Sequence, residues 1–182
     1  MAAMPVVSHV AITPAGDYVA RRAPYRQDHL QRLAALRSQG LVVGGGPSPD
    51  AKHVDVFYRT DDPAMVRKLV EDDPYYTGGA WTGYQVVEFA NFIEPWRLLP
   101  PALDGSRHAT IVEGQTLDID MATFVLIEAR GTGQMSFGGF FTRGGTLAVM
   151  AMQDEKEAAS TFVNSGFWSV DTITTRPWLH VL

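Results

Sequence analysis

The side chain in this sequence with the most versatile chemistry is His29, in the stretch YRQDHLQRLAALRSQG that begins at Tyr25. Apolar residues recur here at helical spacing, Pro24 suits a first helical position, and Gly40 suits the left-handed residue after a helix, so the stretch predicts an amphipathic helix. His29 falls at the edge of the apolar stripe, where a small change of environment moves imidazole charge across neutral pH. Such a histidine could transfer protons in catalysis, or could simply bond to a backbone carbonyl or water.

The same predicted helix carries a cation that could bind an anionic substrate. Its apolar face is predicted to consist of Leu30, Leu33, Ala34 and Leu36 or Arg37. Arg32 is predicted to face water. Arg26, one turn before His29, could bind a substrate carboxylate or phenolate, or could be a solvated helix charge.

Three carboxylates, Glu71, Asp72 and Asp73, stand at the predicted end of a second helix. Negative charge at a helix C-terminus opposes the macrodipole by about 0.3–1 kcal/mol per residue, so these residues invite a functional explanation. The plain alternative is a solvated turn before Pro74. Four aromatic residues follow that could wall a pocket for a flat ligand or belong to the core: Tyr75, Tyr76, Trp81 and Tyr84.

The remaining histidines and the glycine runs give weaker signals. His9 lies on a predicted strand and could point into the same cleft as His29 or into the protein interior, whereas His53 alternates with Asp55 at a spacing that is weak for a metal site. Without an HExxH motif or a carboxylate–histidine cluster, we predict no metal site. The glycine runs lack phosphate-loop spacing and are predicted to form turns between strands. No cofactor is expected.

The composition excludes several classes of function. The chain has 182 residues, 46% of them apolar, a net charge of −5 and no cysteine, so it could form one large or two small domains without disulfides or thiolate metal sites. The absence of a basic cluster makes nucleic acid an unexpected partner. No charged leader and no run of about 18 to 20 apolar residues is present, so we expect a soluble cytoplasmic protein.

The first half has the pattern βαββαβ, typical of an α+β ferredoxin-like fold with two helices on one face of an antiparallel sheet. The predicted strands are 6–12, 41–43, 52–60 and 84–90, with the helix after Pro24 and a second helix begun by Pro63. Proline and glycine in LLPPALDG at residues 98–105 are typical of a linker.

The second half predicts a degenerate copy of the first, in the order βββαβ. Its predicted elements are a strand at 123–130, a hairpin at 137–141 and 146–153, a helix at 154–164 and a strand at 170–175, with residues 108–119 left unplaced. Only GTGQMS separates the first two of these strands, so the counterpart of the first helix is predicted to be missing. We therefore divide the chain into a repeat at 1–97 that carries the candidate site, a linker at 98–107 and a degenerate repeat at 108–182.

Residues 5–96 resemble the YciI-like, or YCII-related, family of small α+β barrel proteins. The resemblance rests on Arg26 and His29 in an R-x-x-H-L sequence, Gly40, Gly46-Pro47, Asp73-Pro74-Tyr75 and Pro95-Trp96. Residues 121–178 share only strand order and the ending Pro177-Trp178. Because family members pair two ferredoxin-like sheets, the resemblance implies an α+β barrel within this chain, whose second half replaces a partner subunit; a homodimer of the whole chain stays open.

The resemblance also implies a His–Asp pair, which falls on His29 and Asp73. Tyr25, Arg26, Tyr75 and His9 are the accompanying candidates for substrate binding. One branch of the family removes chloride from chlorinated hydroxyhydroquinones, so the implied function is cofactor-independent acid–base chemistry, of lyase, isomerase or dehydrochlorinase type, on a small compound that could be aromatic. The alternative is a non-catalytic protein that binds a small ligand or serves as an accessory subunit.

Overall fold

The computed structural model describes residues 4–182, so residues 1–3 of the predicted first repeat lie outside the described part. All strand pairings there are antiparallel, and the fold is α+β. The chain forms two compact units. The first contains residues 4–88, 100–104 and 180–182, and the second contains residues 89–99 and 105–179.

The first unit has the predicted βαββαβ order, with two short additional helices. Its elements are β1 (Val6–Pro14), α1 (Tyr18–Arg22), α2 (Arg26–Ser38), β2 (Val42–Pro47), β3 (Val54–Thr60), α3 (Ala64–Glu71), α4 (Pro74–Thr77) and β4 (Trp81–Ile93). The strand order is β2-β3-β1-β4, and the last residues of β4 belong to the second unit. One face of β1 and β3 contributes to the core: Val10, Ile12, Val54, Val56 and Tyr58.

Helix α2 differs from its prediction in where it begins and in which face it buries. Pro24 lies in a 3-10 turn at Ala23–Tyr25, and the α-helix begins only after it. The buried residues are His29 and Leu33, whereas Ala34 is exposed. The core-facing surface is therefore rotated so that it includes His29 instead of leaving it at the edge. The positive φ of Gly40, 77°, confirms its predicted left-handed conformation after the helix.

The glycines predicted to form a turn after residue 43 belong to strand β2. Gly44, Gly45 and Gly46 pair with β3, so the predicted turn is wrong. Gly45 also exchanges backbone hydrogen bonds with the C-terminal residues, its N–H donating to Leu182 and its carbonyl accepting from Val181. These hydrogen bonds tie the chain end to the first unit and satisfy backbone groups that a turn would leave to water.

The second unit has a helix where the sequence predicts a strand. Its elements are β5 (His108–Gln115), α5 (Ile119–Gly131), β6 (Met135–Phe141), β7 (Gly145–Met150), α6 (Glu155–Ser165) and β8 (Thr174–Leu179), with the end of β4 beside β6. Their order is β6-β7-β5-β8. The predicted strand at 123–130 is wrong, and so is the prediction that this half lacks a counterpart of the first helix, because α5 occupies that position. The segment 108–119, which the sequence pattern leaves unplaced, is largely β5.

The physical reason for α5 is a cap and an apolar spacing that outweigh local strand preference. The sequence TFVLIEAR is rich in β-branched and aromatic residues, which favour strands. The Asp118 side chain, however, accepts a hydrogen bond from the Met121 N–H as an N-cap, and Ala122, Leu126 and Ala129 are buried at helical spacing. The predicted hairpin and the predicted helix at 154–164 are confirmed, while the final strand begins four residues later than predicted, after a 3-10 turn at Val170–Thr172.

The glycine pair in β6 serves close strand packing, because an added Cβ at Gly138 would lie 2.8 Å from the Leu147 carbonyl oxygen and 2.9 Å from the Ala148 Cα. Backbone atoms cannot move aside as side chains do, so Gly138→Ala is expected to lower the free energy of unfolding by about 1–3 kcal/mol. Gly131→Ala is the matched control: nothing lies within 4 Å of its added Cβ, and a gain of about 0.4–1 kcal/mol is expected. Urea unfolding measures both, and equal stabilities would contradict the packing role.

None of the helices formed by residues 4–182 is both long enough and apolar enough to cross a lipid bilayer.

Candidate active site

His29 and Asp73 lie side by side in the first unit, although 43 residues separate them in the chain. The Nδ1 atom of His29, on α2, lies 2.7 Å from Oδ1 of Asp73, which precedes α4. His29 is only 6% exposed and Asp73 is fully buried. A buried carboxylate this close to an imidazole favours an Nδ1–H tautomer that donates to it.

Asp73 is not the C-terminal helix residue that the sequence predicts. Helix α3 ends at Glu71, and Asp73 is the N-cap of α4, where its Oδ1 accepts the backbone N–H of Tyr75 at 2.9 Å. A carboxylate in this position is favoured by the helix rather than opposed by it. The predicted strain argument for Asp73 is therefore wrong.

The carboxylate that does end α3, Glu71, is compensated locally. Its Oε1 accepts hydrogen bonds from the Tyr84 hydroxyl at 2.8 Å and from Arg67 at 2.9 Å. These two donors, Tyr84 first, lower the pKa of Glu71. Asp72 is exposed, as expected for an ordinary turn residue.

Aromatic rings fix the orientation of the His29 imidazole. The Tyr75 ring stacks on it with centroids 3.6 Å apart and planes 9° from parallel, and Trp81 packs edge-to-face at 5.2 Å. Burial raises the pKa of the Tyr75 hydroxyl to about 12, so this ring stays neutral at physiological pH. The ring that was predicted to bind substrate thus covers one face of the imidazole.

The nitrogen that is left for chemistry is Nε2 of His29. Nδ1 is engaged by Asp73, and among the described residues no hydrogen bond reaches Nε2. The side chain is 8% exposed. The arrangement can take a proton at Nε2 while the carboxylate holds the resulting imidazolium in place, which is the geometry of a general acid or base.

The other predicted substrate-binding residues on this helix and its preceding turn have local contacts. Arg26 donates from Nη2 to the Leu103 carbonyl at 3.1 Å. The Tyr25 ring lies directly over Gly78, just after α4, where an added Cβ would overlap it. Tyr25 therefore packs the start of α2 against α4 and so supports the position of His29.

His9 lies on the opposite face of β1 from the core residues Val10 and Ile12, and it is not brought to His29. Its Nε2 lies 2.7 Å from Oδ1 of Asp55, and its ring stacks on Phe57 at 5.1 Å. Asp55 engages the ring through Nε2, so the ring nitrogen left for contact with a ligand is Nδ1, which is the one nearer the backbone. This orientation suits a structural pair better than proton transfer to a ligand.

We expect His9→Leu to affect stability, because it removes a hydrogen bond to a carboxylate that is 1% exposed. Hydrogen bonds to charged groups contribute about 1.5–3 kcal/mol, so the free energy of unfolding should fall by about that amount. Urea denaturation measures the change. A variant as stable as the native protein would show that the His9–Asp55 contact has no structural value.

Arg32 is a further residue of this site, although the helical pattern predicts that it faces water. Its Nη1 donates to Oδ2 of Asp73 at 3.4 Å, and its side chain is 24% exposed instead of facing water freely. The available signal was its position one turn after His29, which places both side chains on one helix face. Within residues 4–182, no group of three or more His, Cys, Asp or Glu side chains could hold a metal ion.

A separate groove of about 550 Å³ lies in the first unit, between the end of β1 and the β2–β3 turn. Its lining residues are 14–20 and 50–52, which include none of the predicted site residues. The candidate site is therefore defined by hydrogen-bonded side chains rather than by this groove.

Comparison with known families matches residues 4–90 to the YCII-related domain. This match covers just under half of the chain and includes both His29 and Asp73. No curated protein sequence matches the chain.

Solved structures resemble the chain over nearly its whole length. A candidate monooxygenase from Lactobacillus acidophilus NCFM is 9% identical with a TM-score of 0.61, covering 98% of this chain and 94% of its own. A candidate monooxygenase from Fusobacterium nucleatum is 7% identical, also with a TM-score of 0.61, and the match covers 100% of this chain and 94% of its own. A heme-binding protein from Thermus thermophilus is 11% identical with a TM-score of 0.51, and the match covers 97% of this chain and 92% of its own. At these identities the likeness concerns the fold alone.

Proposed function

We propose that this chain is a YciI-like protein in which His29 and Asp73 carry out cofactor-independent acid–base chemistry on a small carbonyl or aromatic compound. The observation that carries the proposal is the 2.7 Å contact between His29 Nδ1 and Asp73 Oδ1, with the ring clamped by Tyr75. The match of residues 4–90 to the YCII-related domain supports it. Acid–base chemistry of this kind includes lyase, isomerase and dehydrochlorinase reactions.

The proposed step is a proton transfer at Nε2 of His29. The neutral imidazole takes a proton from carbon or oxygen next to a carbonyl group, and the electron pair of that bond moves into the substrate as an enolate or phenolate. Asp73 stabilises the imidazolium without taking the proton itself. The imidazolium then returns the proton to another substrate atom or to the leaving group, which restores the starting state.

The test is solvent deuterium exchange into a panel of small enolisable 1,3-dicarbonyl and hydroxyquinone compounds, followed by proton NMR. The native protein is expected to exchange carbon-bound protons of at least one compound faster than buffer at the same pH. Exchange at the buffer rate throughout would contradict acid–base function. Compounds that bind without exchanging would instead support the alternative, a non-catalytic ligand-binding or accessory protein.

We also propose that residues 108–182 are a second ferredoxin-like repeat. The support is the shared order βαββαβ and the equivalent strand orders, β2-β3-β1-β4 and β6-β7-β5-β8. Helix α5 takes the place of α2 but carries no histidine, and Ser165-Gly166-Phe167 stands where the first repeat has Asp73-Pro74-Tyr75. On this proposal residues 4–182 hold one His–Asp acid–base site, and sedimentation measures whether two chains associate.

A further inference from the structure

The surroundings of the His29–Asp73 pair contain more hydrogen-bond donors than acceptors. Asp73 supplies the only carboxylate seen among the described contacts of the pair, and it already accepts from His29, from the Tyr75 N–H and from Arg32. The Arg32 contact is the weakest of the three, at 3.4 Å, near the limit for a hydrogen bond. Arg32 thus has guanidinium donors that this single long contact does not use.

One further donor near the pair is buried with no acceptor among the described residues. The Trp81 indole N–H, on the ring that packs against His29 with centroids 5.2 Å apart, has no partner although Trp81 is only 2% exposed. Buried polar groups are normally satisfied, so this donor is available to an acceptor supplied by a bound molecule or water.

Arg32 is better placed than Arg26 to bind an anion at this site. Both Arg32 and His29 reach the same carboxylate, one through each oxygen, so the guanidinium and the imidazole belong to one hydrogen-bonded group. Arg26 donates instead to the Leu103 carbonyl. A guanidinium recognises a carboxylate through paired N–H donors, which a long contact to one Asp73 oxygen leaves available.

We propose that Arg32 binds a carboxylate group of the substrate and so restricts this site to small carboxylic acids. The inference rests on the proposed function, because it assigns the substrate class of the same site. The carboxylate takes up the guanidinium donors, and the Trp81 N–H supplies a further donor to an oxygen atom of the substrate. The reacting C–H or O–H then lies at His29 Nε2.

The experiment uses pairs of small aromatic and keto acids with their primary carboxamides, for example 4-hydroxybenzoate and 4-hydroxybenzamide, measured by isothermal titration calorimetry. In the native protein at least one acid is expected to bind ten-fold or more tightly than its amide. Arg32→Gln should abolish this preference, and Arg32→Lys should retain part of it because the charge remains. Arg67→Gln, which removes an exposed arginine on α3, should leave it unchanged.

Two results would overturn the inference: no acid preferred over its amide by the native protein, or a preference that survives Arg32→Gln. A preference abolished by Arg26→Gln but not by Arg32→Gln would assign the anion site to Arg26 instead. Urea unfolding of Arg32→Gln checks that the variant is folded, and Arg32→Lys provides the second variant if it is not.

The substrate-class inference and the acid–base proposal can fail separately. Arg32-dependent preference for acids in a protein that exchanges no protons would leave the anion site standing and remove the catalytic role of His29. Proton exchange without any preference for acids would do the reverse. Titration of the same pairs into His29→Gln shows whether carboxylate binding is independent of the imidazole.

Discussion

Replacing His29 by glutamine is expected to lower the rate of solvent deuterium exchange by about 10²–10⁴, the usual contribution of a positioned general acid or base. Glutamine approximates the size of the imidazole and can donate from its amide to Asp73, so the buried carboxylate keeps a partner. It has no group that gains and loses a proton near neutral pH. The rate is measured by proton NMR with the compound that the native protein exchanges fastest.

His53→Gln is the matched control for this variant. His53 is exposed in the turn before β3, so the same substitution there removes an imidazole without touching the site. Its exchange rate should equal that of the native protein. If His29→Gln also kept the native rate, His29 would be a buried structural histidine and the acid–base proposal would fail.

The pairing of His29 with Asp73 follows from the sequence only through the resemblance to a family, because 43 residues separate them and no local pattern links them. The apolar spacing of α2 predicts His29 at the edge of the core and Arg32 in water, whereas His29 is buried and Arg32 reaches Asp73. The sequence also predicts Asp73 at the end of α3, but the backbone turns after Asp72 and Asp73 begins a new helix.

The element order of the first unit followed from its clear alternation of strands and helices, whereas the second unit was misread at one helix. In β3, alternate residues face opposite sides, and both the core-facing Val56 and the opposing Phe57 are buried. In α5, Phe124, Val125 and Ile127 favour a strand, while the decisive features are a single N-cap and small buried alanines. Local preference and tertiary packing disagree there, and packing decides.

Replacing Asp73 by asparagine is expected to separate its structural role from its chemical one. Asparagine is as good an N-cap as aspartate, so the Tyr75 N–H keeps its acceptor. The amide carries no charge to stabilise the imidazolium, and its N–H donors oppose those of Arg32. The equivalent change in a catalytic triad lowers turnover by about 10⁴, and we expect a loss of exchange rate approaching that value. An Asp73→Asn protein that exchanged at the native rate would reduce Asp73 to a helix cap.

Asp73→Ala should show the stability that the carboxylate provides. This variant removes the acceptor for the His29 ring, for the Tyr75 N–H and for Arg32 at once, and it leaves those donors in a buried site. We expect the free energy of unfolding to fall by about 3–5 kcal/mol, the usual cost of breaking a buried charged network, and by less in Asp73→Asn because the cap survives. Urea unfolding of both proteins measures the difference. Equal stability of Asp73→Ala and Asp73→Asn would mean that the N-cap contributes nothing to the stability of α4.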